Sequence, residues 1–268
     1  MLIPLPMDIS CNDIKKVAFN VVKFDVIFPE DALLLSAKRK LVYYFGNSLY
    51  GSFRIRIVDP MPNTVNVLNH FKNPDQAYHI WSDGAINISA LTSKGIMNGV
   101  RTLLQAVTKE DGMFNIPLLF VYDYPDMSLR GQWGGDSMDD ISYTASLKLN
   151  SLDYSGAFSI DSDGVGKAVL EKPAVLENSI KEGVVLCSYI PHLEFVIGGY
   201  LNKPEYKDII SKIKNVPTEE AAARNDYKPG LCVSSEDTKK LVLDWMCSLA
   251  DIKGVKSVMV WLSENTRM

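Results

Sequence analysis

Only three histidines occur in the 268 residues of this chain, and His70, His79 and His192 are too scattered to supply an H-E-x-x-H or any other compact set of metal ligands. Cysteine is nearly as scarce. Cys11, Cys187, Cys232 and Cys247 form no C-x-x-C pair. That excludes zinc-ribbon and thioredoxin-like sites and leaves the four as small buried hydrophobes. No apolar run approaches the length of a membrane span, and no block of like charge is long enough to act as an interaction tail. With 28 basic against 32 acidic residues the formal charge is −4, so the basic face that a nucleic-acid partner requires is missing. The opening MLIPLPMDIS has neither a basic n-region nor a sustained apolar h-region. The expected location is the cytoplasm, or the periplasm or exterior if a leader has been removed. There is no G-x-S-x-G elbow, and DSDGVG at 161–166 lacks the remaining ligands of a calcium loop. Neither a metal nor a cofactor is expected.

What is present is alternating strand and helix grammar. VVKFDVIF (21–28) is rich in β formers, and PEDALLLSAKRKLVYYF (29–45) opens on Pro and two acids before apolar residues at helical spacing. SFRIRIVD (52–59) alternates apolar and polar positions, the mark of a half-buried strand. Asp83-Gly84 joins AYHIWSD to AINISA and predicts a hairpin. TSKGIMNGVRTLLQAVT (92–108) predicts a helix with Ile96, Val100, Leu103, Leu104 and Val107 on one face. Gly95 and Gly99, four apart on that helix, are expected to let it pack closely on a sheet. IPLLFVYD (116–123) reads as a buried strand.

After Pro125 the pattern becomes repeated strand-then-helix units, which predicts a parallel α/β architecture. Helices are expected over 137–150, 173–183, 204–215 and 234–254, and strands over 128–133, 151–156, 184–190 and 255–264. VVLCSYI (184–190) is apolar enough for a parallel strand covered on both faces. A closed (β/α)8 barrel takes roughly 250 residues, whereas 268 − 126 + 1 = 143 follow residue 125. About four units, half a barrel, is the expectation. Its open parallel edges would favour self-association.

Several motifs carry a family resemblance. TSKGIMNGVRTLLQAV, IPLLFVYDYPDMSLRG, the IPLP at 3–6, LKLNSLDY (147–154), YIPHLEF (189–195) and SVMVWLSEN (257–265) together resemble glycoside hydrolase family 20, the β-N-acetylhexosaminidases. The resemblance implies a small zincin-like α+β domain over 1–124. A catalytic TIM barrel would begin at 125, only its first half lying within 125–268. It implies hydrolysis of O-glycosyl bonds at glycan termini and a carbohydrate partner, with neither nucleic acid nor membrane.

The same resemblance distributes roles. Arg130, in the family's Arg-Gly, would grip sugar hydroxyls with its fixed fork of donors. A structural pairing of Arg130 with Asp123 or Asp136 is the alternative reading of that residue. Trp133 would stack on a sugar face or else join the core. Glu264, closing the last strand, matches the general acid that protonates the leaving oxygen. Ser263 stands where hexosaminidases carry an aspartate that polarises the substrate's acetamido group, so substrate-assisted cleavage loses its charge there. His192 and Glu194 after the third strand, and Asp153 with Tyr154 at the end of the second, are candidates for the pocket rim. With half the expected pocket wall absent, the chain alone is expected not to turn over glycosides. A non-catalytic glycan-binding or structural module is the competing reading.

Overall fold

In the computed structural model the described residues are all but 1, 3, 19–20, 47, 136, 156, 161–165, 170–172, 191–231, 233, 253–254 and 261–268. The chain divides into two compact units. The first comprises Met1–Gly131, Asp139–Asn150 and Asn178–Val184; the second comprises Gln132–Met138, Ser151–Glu177 and Val185–Met268.

The first unit is a mixed sheet with helices. Its strands are β1 (Asp8–Ala18), β2 (Val22–Ile27), β3 (Phe53–Val58), β4 (Tyr78–Ser82), β5 (Ile86–Ala90), β6 (Thr108–Glu110) and β7 (Met113–Asp123). They are ordered β1-β7-β4-β5-β3-β2, with β6 beside β7. β2, β3 and β5 run parallel, whereas β4 pairs antiparallel with β5 and β7, and β1 antiparallel with β7. The Asp83-Gly84 hairpin forms as expected, with Gly84 at φ 90. β1 was not foreseen: its alternation is interrupted by a register shift between Cys11 and Ile14, which breaks the period of two. Helix α2 (Pro62–Asn69) was missed as well, being short and punctuated by Pro and Asn.

Helices α1 (Ala32–Phe45) and α3 (Ser93–Ala106) bury their apolar stripes against one face of this sheet. Asp31 caps α1 by accepting from Leu34 N at 2.7 Å, and its other oxygen accepts from Ser93 Oγ at the start of α3. Leu34, Leu41 and Phe45 of α1 join Ile96, Val100 and Leu103 of α3 over Ile55, Ile57, Ile80, Ile86 and Ile88 of the strands. The two glycines do what their spacing predicted. A Cβ on Gly95 would strike the Ala77 carbonyl and Ala90, and one on Gly99 would lie 2.7 Å from Ile88 Cγ2.

The second unit contains parallel pairing. β9 (Ser151–Ser155), β12 (Val185–Ile190) and β13 (Val255–Val260) form a parallel run, and β8 (Gly131–Gln132) completes the order β13-β12-β9-β8. Helix α6 (Glu236–Ala250) packs on these strands through Thr238, Leu241, Trp245 and Leu249. An unforeseen antiparallel hairpin, β10 (Ala157–Ile160) with β11 (Gly166–Val169), follows β9. Helix α4 (Met138–Ser146) stops short of the expected 137–150, the left-handed Lys148 at φ 58 breaking it, whereas α5 (Pro173–Glu182) closes at Gly183, φ 66, as predicted. The helix expected at 204–215 lies outside the described residues.

Two expectations need correction. The cysteines are not buried: Cys11 and Cys247 are exposed, and Cys187 and Cys232 are intermediate. Nor is β12 covered equally on both faces. Leu152, Tyr154, Leu186 and Ser188 are buried, but Asp153 and Cys187, opposite each other in register, are only half-buried. Composition alone cannot distinguish these two faces, because a thiol and a leucine score alike as apolar.

Among the described residues no helix is long and apolar enough to cross a membrane, and no group of His, Cys, Asp or Glu could hold a metal ion.

Candidate functional site

The passage from a buried strand to Arg130 is a hydrogen-bonded clasp within the first unit. Asn73 Nδ2 donates to Pro125 O at 2.6 Å, and Gln76 Nε2 and Asn150 Nδ2 donate to Ser128 O at 2.9 and 2.8 Å. Arg130 N donates to Asn150 Oδ1, and Asn150 N returns a bond to Arg130 O, both at 2.8 Å. The guanidinium itself is turned inward. Its Nη1 donates to Met127 O at 2.5 Å, its Nη2 to Lys148 O at 2.8 Å and Gln76 Oε1 at 3.0 Å, and its Nε to Lys148 O at 3.3 Å. Arg130 makes no ion pair with Asp123, and Asp136 lies outside the described residues. Two backbone carbonyls and one side-chain amide oxygen, not carboxylates, take its donors. Burial pulls its pKa below the ordinary arginine value, with Asp123 and Asp75 opposing that shift.

Beside the clasp lies a buried charged cluster that sequence reasoning missed. Tyr78 OH donates to Asp123 Oδ2 at 2.6 Å and stands 2.5 Å from Thr102 Oγ1. Lys148 Nζ donates to Tyr78 OH at 2.9 Å and to Asp123 Oδ2 at 3.3 Å, while Met7 N donates to Asp123 Oδ1 at 3.2 Å. Lys148 holds a left-handed backbone conformation, φ 58, which aims its carbonyl at Arg130 and its ammonium at Asp123. Desolvation lowers the Lys148 pKa despite the neighbouring carboxylate, and it raises that of Tyr78 well above the usual phenol value. The only sequence signals were Asp123 in D-Y-P and Lys148 in LKLN; nothing local marked Tyr78 as their partner. Arg101 makes a second buried pair, donating to Glu182 O at 2.5 Å and Glu182 Oε2 at 3.2 Å, with Lys40 on Glu182 Oε1 at 2.6 Å.

A cavity of about 210 Å³ opens onto the first cluster. Asp123, Asp126, Lys148, Tyr78, Asn98 and Arg130 are among its polar lining, and Pro4, Leu5, Met7, Pro125 and Met127 among its apolar lining.

Of the other residues singled out in the sequence, Trp133 is half exposed, at 50%, so it is not core. Asp153 lies mid-way along β9, and Cys187 on β12 hydrogen-bonds it. Burial raises the Asp153 carboxyl above its ordinary value, and the thiol bond partly counters the shift. His192, Glu194, Ser263 and Glu264 fall outside the described residues.

No protein-family model matches this chain, and no curated protein matches it either. Solved structures do. The chain superposes on a chitobiase of Flavobacterium johnsoniae with a TM-score of 0.68 over 98% of its own length, at 16% identity. Its fold is that of glycoside hydrolase family 20. The N-acetyl-β-hexosaminidase of Streptomyces plicatus matches with TM-score 0.68 over 97% of the chain at 15% identity. The exo-β-N-acetylglucosaminidase of Vibrio harveyi, solved with N-acetylglucosamine, matches with TM-score 0.64 over 93% at 16% identity. The chain spans about half the length of these family 20 enzymes: 45%, 58% and 44% of them in turn.

Proposed function

We propose that this chain forms the leading part of a glycoside hydrolase of the family 20 type, acting on sugars at glycan termini. The observation that carries the reading is the fold match, which runs through both compact units and covers 98% of the chain. Residues 1–124 then make up the zincin-like domain, and β8, β9, β12 and β13 are the first four barrel strands, in their sequential order. In this reading Glu264, four residues beyond β13 in the sequence, is the general acid. Trp133, Asp153, His192 and Glu194 line the sugar pocket. Ser263 replaces the charged residue that would steady an acetamido-derived intermediate, so the reading extends to glycosides that lack the acetamido group.

One observation favours a second reading, a glycan-binding or structural module. Arg130 directs four of its five N–H groups to Met127, Lys148 and Gln76, which favours a positioning role over that of a glycosidase sugar ligand.

The test is a panel of aryl glycosides and free sugars offered to the full chain, with binding followed by ligand-observed NMR and turnover by aryl release. Binding of N-acetylglucosamine or another terminal sugar, weakened by Asp153→Asn and Trp133→Ala, supports sugar recognition. Turnover abolished by Glu264→Gln establishes the enzyme; binding without turnover selects the module. Silence across the panel refutes both.

A further inference from the structure

We propose that the 210 Å³ cavity of the first unit binds a small organic carboxylate, no larger than a single sugar acid. The inference does not depend on the glycosidase reading, since it rests only on residues of the first unit.

The polar wall is built and buried. Tyr78 is 1% exposed, Lys148 5%, Asn98 6% and Asp123 7%. Its hydrogen bonds leave donors over. The Lys148 ammonium has three N–H groups and two protein acceptors, Tyr78 OH and Asp123 Oδ2. Asn98 Nδ2 gives one N–H to Gln76 O at 3.0 Å, which fixes the amide orientation and leaves its second N–H and its Oδ1 without a protein partner. Arg130 Nη1 has one acceptor, Met127 O, for two N–H groups. Asp123, by contrast, already takes three donors: its Oδ2 takes Tyr78 and Lys148, and its Oδ1 takes Met7 N.

The charges agree with this count. Two cations, Lys148 and Arg130, and two carboxylates, Asp123 and Asp126, line the cavity; Asp126 is already matched by Lys72 at 2.9 Å, which leaves one positive charge in excess. Arg101, the next buried cation, is already matched by Glu182. A group with two acceptor oxygens and one negative charge fits three spare donors and one spare charge. It would also relieve the desolvation that lowers the Lys148 pKa. The apolar part of the lining, Leu5, Met7 and Met127 with two prolines, suits a carbon skeleton rather than a bare inorganic ion. Drug-sized ligands occupy pockets of roughly 300–1,000 Å³, so this smaller space accepts one ring at most.

Calorimetry on the full chain with sodium glucuronate, glucose, acetate and sulfate at matched ionic strength tests the proposal. Glucuronate or acetate is expected to bind with Kd on the order of 1 mM, glucose not at all, and sulfate roughly tenfold more weakly than the better carboxylate. Lys148→Met is expected to weaken carboxylate binding at least about tenfold. Because that variant leaves Asp123 short of a partner and can misfold, Met127→Trp serves beside it. Met127 is 64% exposed, so a bulkier side chain there narrows the cavity without touching the buried cluster, and it should abolish binding. Glucose binding as well as glucuronate, sulfate binding as well as acetate, no carboxylate heat, or binding unchanged in Met127→Trp would each overturn the proposal.

Discussion

His79 provides the sharpest test of the fold. It lies on β4 at 6% exposure, with ring centroids 3.9 Å from Tyr122, 4.8 Å from Trp81 and 5.0 Å from Phe120, and neither ring nitrogen has a hydrogen-bond partner. Burial alone lowers its pKa from 6.5 to about 4. The unfolded chain takes up a proton near pH 6.5 that the folded ring refuses until about pH 4. The stability linked to His79 is therefore complete above pH 6.5 and lost as pH falls through that window. The two values give a loss of about 2 kcal/mol between pH 7 and pH 5, approaching about 3 kcal/mol below pH 4. His79→Phe removes the titration and both unsatisfied nitrogens. It is expected to match or exceed the parent at pH 7, by up to about 2 kcal/mol, and the gap should widen by about 2 kcal/mol at pH 5. Urea unfolding of the two proteins at both pH values measures the gap, and the difference between them cancels His70, His192 and the carboxylates. An NMR titration of the imidazole gives the folded value directly. A gap that does not change with pH, or a midpoint near 6.5, would refute the assignment of His79 to a dry aromatic site.

Other substitutions test other parts of the structure. Gly95→Ala drives a methyl into the Ala77 carbonyl and is expected to cost about 3 kcal/mol or more, whereas Gly99→Ala meets the movable Ile88 methyl and should cost about 1–2 kcal/mol; paired denaturation curves give the order. Arg130→Lys keeps the charge but loses the fork that serves Met127, Lys148 and Gln76. A loss of about 2–4 kcal/mol is expected by the same measurement, and an unchanged midpoint would return Arg130 to the role of sugar ligand. Asp153 carries a raised folded pKa, so the folded state holds its proton more tightly than the unfolded chain. Its contribution favours folding at acid pH and is lost as pH rises from the ordinary carboxylate value through the raised one. Asp153→Asn should therefore raise the thermal midpoint at pH 7 and leave it unchanged at pH 3.

Periodicity and punctuation were enough for most elements. The stripe of α3, the alternation of β3, the Asp83-Gly84 turn and the closing Gly183 each depend on residues within one turn or one hairpin of each other. The paired glycines of α3 even announced close packing. β1 escaped because its register shifts mid-strand, and α2 because its eight residues are too few for a helical period to stand out from Pro62 and its asparagines.

The candidate site was legible only where residues adjacent in sequence carry it. Motifs picked out Asp123, Arg130 and the LKLN segment, and the family 20 fold they resembled is the fold that the chain adopts. They could not show where Arg130 points. That was decided by Lys148, whose left-handed backbone turns a carbonyl toward the guanidinium, and by Gln76 on a distant loop. Likewise, Tyr78, Asp123 and Lys148 are brought together across separations of 25 to 70 residues. By itself the amino-acid sequence determined the local periods, the turns and the order of strands and helices, because those follow from neighbouring side chains. The tertiary structure decided which polar groups are dry, which charges are matched and which donors are spent, because desolvation and hydrogen bonding depend on neighbours that only folding supplies.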